Sequence, residues 1–106
     1  MQIIKTYIKD LQKKIKNKHK KKEQETIEAI KELMIQSKNM QEVIINPLSR
    51  VYNIEKKQGN LKEIYTANIN MKLRMYIKPI GEYPYKLEEI VEVELREIDD
   101  RHYGEG

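Results

Sequence analysis

Arg74 belongs to a row of polar residues that alternates with apolar residues over positions 72–78. This alternation predicts a β-strand, and a planar guanidinium on a rigid strand can bind a phosphate bidentately and stabilise charge that develops on it. Glu55, Lys57 and Lys62 lie on or next to the neighbouring predicted strand and could complete an anion-binding surface. A charged row of this kind is also typical of the solvated face of a sheet.

The two histidines of the chain lie in different settings. His19 is part of a lysine run, which is typical of a solvated surface residue. His102 follows the last predicted strand, beside Tyr103 and shortly after Asp99 and Asp100. An imidazole in this setting could have a chemical role, and the aspartates could orient it. The alternative is a frayed tail without a chemical role.

Standard catalytic motifs are missing from the sequence, which has no Gly-rich phosphate loop, HExxH motif, nucleophile elbow or zinc-ligand spacing. There is no cysteine, so the chain has no disulfide or thiolate metal site and fits a reducing compartment. No stretch has the length and apolar character of a membrane span or a secretion signal. We therefore expect a cytoplasmic protein that binds no membrane, and the sequence offers no motif for a metal or a cofactor.

The first half of the chain has apolar residues at helical spacing. They predict a helix over about residues 4–20, although the Ile-rich residues 1–8 could instead form a short strand. A second helix is predicted around Ile27, Ile30, Leu33 and Met34, and residues 37–46 are expected to form a connector. Together the two helices predict a helical hairpin.

After Pro47 the pattern changes from helical spacing to alternation. Strands are predicted over residues 50–55, 65–70, 72–78 and 91–96, with Tyr65 facing the core. The 106 residues are thus expected to form a single domain, 1–106, of the α+β class. In it the N-terminal helical hairpin packs on a mainly antiparallel β-sheet of about four strands.

Charge is unevenly distributed along the chain. Between Met1 and Lys22 there are nine lysines and one acidic residue, Asp10, which gives about +8; from Glu82 onward there are nine acidic and three basic residues, which gives about −6. A basic segment of this size favours a polyanion as partner, because lysines bind phosphates without reading sequence.

Three segments together resemble the bacterial RelE/ParE toxin superfamily, and its HigB and YoeB branches in particular. They are GNLKEIY at 59–65, LRMY at 73–76 and DDRHY at 99–103. In that superfamily the first segment opens a strand, the second forms the next strand, and a terminal "D-x-H" or "H-Y" closes the sheet. The resemblance rests on the order and spacing of the three segments, since none of them is specific alone.

The resemblance implies the toxin of a type II toxin–antitoxin system, a ribosome-dependent endoribonuclease that cuts mRNA and is neutralised by an antitoxin protein. In such enzymes the 2′-hydroxyl of the substrate attacks the adjacent phosphate, without a metal. By position, Arg74 matches the phosphate-binding arginine, and Glu55 falls where YoeB-like members have a carboxylate general base. His102 matches the terminal acid or base, and Tyr103 the residue that stacks on or orients the scissile nucleotide.

Further lysines are predicted to contact RNA phosphates of the mRNA or of ribosomal RNA. They are Lys13, Lys14, Lys21, Lys57, Lys62 and Lys72.

The sequence departs from the family pattern in three places. Glu63 stands where many relatives have Gly, the loop over residues 79–89 is longer than usual, and a first strand at the N-terminus is not evident. The ParE branch, whose members inhibit DNA gyrase without cutting RNA, therefore stays open, as do an inactive toxin relative and a simple RNA-binding domain. His102 argues against the ParE branch, since a non-catalytic inhibitor needs no terminal imidazole.

Overall fold

The structure is a computed structural model that describes residues 1–6, 21–59, 62–71 and 73–98. These residues form an α+β fold, as the sequence predicted, with three α-helices and five β-strands. The helices are α1 (Lys21–Gln36), α2 (Met40–Ile45) and α3 (Leu48–Val51); the strands are β1 (Gln2–Thr6), β2 (Glu55–Lys56), β3 (Tyr65–Asn68), β4 (Arg74–Pro79) and β5 (Glu92–Ile98). A 3₁₀ turn, Leu87–Glu89, precedes β5.

The five strands form one mixed sheet in the order β1-β5-β4-β3-β2. The β5-β4, β4-β3 and β3-β2 pairs are antiparallel, whereas β1 runs parallel to β5. About four strands were predicted, and the described residues form five. The strand that was not among the four is β1.

β1 corrects the predicted first helix, which was expected to begin at about residue 4. Gln2 lies opposite Glu92 and Ile3 opposite Val93, so this segment satisfies its backbone hydrogen bonds on the edge of β5. Ile-rich segments suit a strand because β-branched side chains pack well on a pleated surface, and a neighbouring strand edge decides between the two alternatives. Residues 7–20 of the predicted helix lie outside the described residues, so a helical hairpin is not confirmed.

Helix α1 forms as predicted and lies over one face of the sheet. The apolar residues expected at helical spacing are all buried: Ile27, Ile30, Leu33 and Met34. They pack in one core with residues of α2 and the three central strands: Met40, Val43, Tyr65, Ala67, Met75, Ile77, Val93 and Leu95. The prediction that Tyr65 belongs to the core is confirmed.

The C-terminal end of α1 is held by two kinds of donor. The ammonium group of Met1 donates to the carbonyl oxygens of Met34, Ile35 and Ser37, and the Ser37 hydroxyl donates to Leu33 O over 2.7 Å. These donors satisfy carbonyls that the helix leaves unpaired, and the positive charge complements the helix dipole. β1 and α1 are thereby joined at one end of the molecule.

Helix α2 lies within the predicted connector, residues 37–46. Asn39 caps it: its side-chain oxygen accepts from Glu42 N over 3.0 Å, while its amide donates to Glu88 O over 3.1 Å. A local cap of this kind starts a helix where hydrophobic periodicity is too short to indicate one. The helix ends before Pro47, because the residue before a proline is disfavoured in the helical region.

The strand predicted over residues 50–55 is wrong for most of its length. Helix α3 occupies its start, and Tyr52 N donates to Leu48 O over 3.1 Å. Asn53 then adopts a left-handed conformation, φ 51°, which asparagine tolerates better than most residues. Only Glu55 and Lys56 remain to pair with β3.

Two isoleucines of α1 provide a matched test of the core. Ile30 is fully buried, whereas Ile35 is 50% exposed on the same helix. Ile30→Ala should lower the free energy of unfolding by about 2–5 kcal/mol through lost burial and cavity formation, and Ile35→Ala should change it by less than about 0.5 kcal/mol. Urea denaturation measures both; equal losses would contradict the described packing.

Candidate functional site

Arg74 is the first residue of β4 and follows a short hairpin turn. Ile69 N donates to Leu73 O over 2.8 Å, and Leu73 N donates to the Asn70 side-chain oxygen over 2.8 Å. Asparagine is suited to such a turn because its side chain replaces a backbone acceptor. The turn sets Arg74 opposite Asn68, half-buried on the side of the sheet away from the core.

The side of the sheet away from the core is called here the polar face. It is built from alternate residues of four strands: Glu55, Thr66, Asn68, Arg74, Tyr76, Lys78, Glu94 and Arg96. Thr66 is only 2% exposed, and Arg74, Tyr76 and Arg96 are half-buried. The face is therefore more closely packed than a fully solvated charged row.

Arg96 is a functional candidate that the sequence analysis missed. It lies directly opposite Tyr76, which makes it a diagonal neighbour of Arg74 with a Cα separation of about 7–8 Å. Its Nη2 contacts Glu94 Oε1 at 3.3 Å, and its buried Nε has no hydrogen-bond partner. Two guanidinium groups thus flank one tyrosine, an arrangement suited to a multiply charged anion such as a phosphodiester.

Arg96 alternates with apolar residues and has glutamates as its polar neighbours in the sequence, a pattern typical of a solvated strand face. Only the register of β5 against β4 reveals Arg96 as a neighbour of Arg74, and no local sequence signal contains that register.

Glu55 lies on the same polar face, on the edge strand β2. It stands opposite Thr66, which in turn stands opposite Tyr76. From the strand spacing, the Cα atoms of Glu55 and Tyr76 are about 10 Å apart. The exposed carboxylate and the two arginines therefore border one stretch of surface rather than contacting each other.

The last strand ends beside the start of β4, because Ile98 lies opposite Met75. His102 and Tyr103 are outside the described residues, as are Asp99 and Asp100. Three residues lie between Ile98 and His102, and the four residue steps that join them span at most about 13–14 Å. The covalent chain thus allows His102 to reach the part of the polar face that carries Arg74.

The predicted RNA-binding lysines are spread over the molecule. Lys57 and Lys62 lie near the start of β3, at the end of the sheet opposite to Arg74. Along β4 that is about 13 Å from Arg74, so they do not share its anion site. Lys21 is exposed at the start of α1. The remaining candidates lie outside the described residues: Lys13, Lys14 and Lys72.

Lys62 is held by a group of tyrosines that joins two loops. Its Nζ lies 5.4 Å from the centre of the Tyr83 ring, and Tyr83 packs edge-to-face on Tyr85 with ring centres 5.4 Å apart. The Tyr85 hydroxyl donates to Glu63 O over 2.8 Å.

The pKa values of two tyrosines are raised above their ordinary value. For Tyr65 the main cause is burial, and the charge interaction with Tyr83 adds a smaller effect. For Tyr85 the main cause is again burial, and charge interactions with Glu63, Tyr65 and Tyr83 add to it.

Within the described part of the chain, no group of three or more His, Cys, Asp or Glu side chains could hold a metal ion. None of the helices in that part is long and apolar enough to cross a membrane.

Comparison with known proteins gives no relative: no family model matches the chain, and neither a curated protein nor a solved structure is detectably similar.

The raised tyrosine pKa values predict alkaline instability. Both folded-state values lie above the ordinary 10.0, so their stabilising contribution is complete below about pH 10 and is lost as pH rises through the folded-state values. Tyr65→Phe should therefore reduce the loss of unfolding free energy between pH 9 and pH 11 (about one unit on each side of the ordinary value). Denaturation of the variant and the parent at both pH values measures this; identical losses would contradict the role of Tyr65.

Proposed function

We propose that this protein is a metal-independent endoribonuclease, the toxin of a type II toxin–antitoxin system similar to the HigB and YoeB branches of the RelE/ParE superfamily. It acts in the cytoplasm on mRNA bound to the ribosome. A cognate antitoxin protein neutralises it.

The observation that carries the proposal is the pairing of β4 with β5. This pairing makes Arg74 and Arg96 diagonal neighbours and ends β5 beside the start of β4. The polar face therefore offers two cations for one phosphodiester, and the described part of β5 stops at the same end of this face, four positions before His102 in the sequence.

Each proposed residue has a defined task in the cleavage. Glu55 or His102 removes the proton from the 2′-hydroxyl, which then attacks the adjacent phosphorus and forms a 2′,3′-cyclic phosphate. Arg74 and Arg96 bind the non-bridging oxygens, where negative charge increases in the transition state. His102, when it is the acid, returns a proton to the departing 5′-oxygen. Tyr103 stacks on or orients the scissile nucleotide.

The N-terminal first strand, which was not evident from the sequence, is present as β1. The protein therefore does not depart from the family pattern at this point. Two departures remain. Glu63 lies in the loop before β3, where its carbonyl accepts from Tyr85, and the long loop between β4 and β5 supplies that tyrosine. The two departures are thus structurally linked, because the longer loop packs against the segment that carries Glu63.

Outside the catalytic site, the lysines hold RNA through its phosphates. Lys57 and Lys62 are at the far end of the sheet from Arg74, so they contact phosphates further along the strand or ribosomal RNA. The basic segment that contains Lys13, Lys14 and Lys21 serves the same purpose, together with Lys72, which comes two positions before Arg74 in the sequence.

A second candidate function is protein binding without catalysis, as in a ParE-like inhibitor or an inactive toxin relative. The observation in its favour is an apolar ridge on α2 and α3, formed by Ile45, Leu48 and Val51, which are 66%, 43% and 69% exposed. Contiguous exposed apolar residues mark protein contacts in many soluble proteins. The same ridge is also suited to an antitoxin, so it is compatible with both functions.

Arginine variants test the nuclease. On ribosomes programmed with mRNA, Arg74→Ala should slow cleavage by about 10²–10³-fold, because a preorganised charge partner of the transition state is lost. Arg74→Lys should recover only part of the rate, since lysine cannot bind bidentately. Arg96→Ala should also slow cleavage, whereas Arg50→Ala, an exposed arginine on α3, should not. Single-turnover cleavage rates provide the measurement.

Inducible expression separates the candidate functions in cells. The parent chain should arrest growth and create new mRNA 5′ ends, and Arg74→Ala or His102→Ala should abolish both effects. Growth arrest without new 5′ ends would support the inhibitor and contradict the nuclease. Absence of arrest would leave an inactive relative or a simple RNA-binding domain.

A further inference from the structure

We propose that a groove beside the β3–β4 turn binds one unstacked nucleobase of the RNA, an inference that rests on the proposed function. The groove has a volume of about 360 Å³, within the range of small-ligand sites. Val51, Tyr52, Met71, Asn68 and Thr26 line it, and these residues define the hairpin groove.

The walls of the hairpin groove are apolar and exposed. Met71, at the tip of the turn, is 90% exposed, and Val51, at the end of α3, is 69% exposed; Tyr52 is half-buried beside it. Unstacked bases bind to proteins by stacking on aromatic or apolar side chains. An unbranched thioether adapts to an aromatic ring and makes favourable sulfur–ring contacts, so Met71 is suited to cover a base.

The polar lining of the groove can bind the edge of a base. Asn68 also lines the groove, and its side chain carries both a donor and an acceptor. The Thr26 hydroxyl donates to Lys22 O over 3.1 Å, so its oxygen can still accept. Asn68 N donates to Tyr52 O over 2.6 Å, which joins the backbones of these two lining residues.

Continuity with the polar face makes RNA the favoured occupant. Asn68 stands directly opposite Arg74, so the groove begins where the proposed phosphate site ends. A base in the hairpin groove and a phosphate at Arg74 would belong to neighbouring positions of one strand. The apolar ridge borders the groove only at Val51, and the Tyr83 ring is already covered by Lys62.

Methionine methyl NMR tests the groove without catalysis. Met34, Met40 and Met75 are fully buried, so they serve as internal controls for the exposed Met71. Titration with adenosine 5′-monophosphate should shift the Met71 methyl signal upfield and saturably through the ring current of the base. Ribose 5-phosphate, which has the phosphate but no base, should not shift it. Equal shifts with both compounds, or none, would contradict the proposal, and absence of any shift would favour a protein as occupant.

A matched pair of variants measures the contribution to RNA binding. Met71→Ala should weaken the affinity for a short single-stranded RNA by about 3- to 10-fold, somewhat less than loss of an aromatic stacking partner. Val91→Ala, an apolar residue 52% exposed elsewhere on the surface, should leave the affinity unchanged. Equal affinities for Met71→Ala and the parent would overturn the inference.

The inference and the proposed function fail in different ways. A base-specific Met71 shift in a protein that never cleaves mRNA would contradict the nuclease and retain the groove. Cleavage that depends on Arg74, together with a Met71 signal that does not respond to the base, would contradict the groove and retain the nuclease.

Discussion

The antiparallel pairing of β4 with β5 is the interaction on which the proposed chemistry depends. Its register sets Tyr76 against Arg96 and Met75 against Ile98, with an irregularity between Met75 and Tyr76. A slip of one residue would turn Arg96 into the core and bury a guanidinium among apolar side chains, which is very costly without a partner. Burial of Val93 and Leu95 on the opposite face therefore stabilises the register that also presents Arg96.

The sheet separates stability from function by using its two faces differently. Helices α1 and α2 cover one face, where Ile30, Met34 and Val43 are completely buried. The described helices leave the other face to polar side chains on rigid strands. Side chains on strands are held more precisely than those on loops, because their backbone is fixed by pairing on both sides. The same strands carry the buried residues on one face and Arg74 and Arg96 on the other. Packing of the core therefore also fixes the backbone positions of the two arginines.

The hairpin end of the sheet brings together groups with different chemistry. Arg74 follows the β3–β4 turn, Asn68 precedes it, and Met71 forms its tip. Asn70 stabilises the turn with its own side chain, whose oxygen accepts a hydrogen bond from Leu73 N. A charged group, an amide and apolar surface are therefore found within a few residues. This combination suits a nucleotide, because its phosphate is charged whereas the faces of its base are apolar.

Local pattern was sufficient for α1, β3, β4 and β5, because each has an apolar row that repeats with the period of its own geometry and faces a single core. The sequence by itself thus determined the α+β class, the burial of Tyr65 and the outward position of Arg74. Tertiary structure decided whether residues 2–6 form a helix or a strand. They form a strand because the edge of β5 is present to pair with this Ile-rich segment. It also decided which arginine accompanies Arg74: cross-strand neighbours come from register, and register is a property of two distant segments together rather than of either one alone.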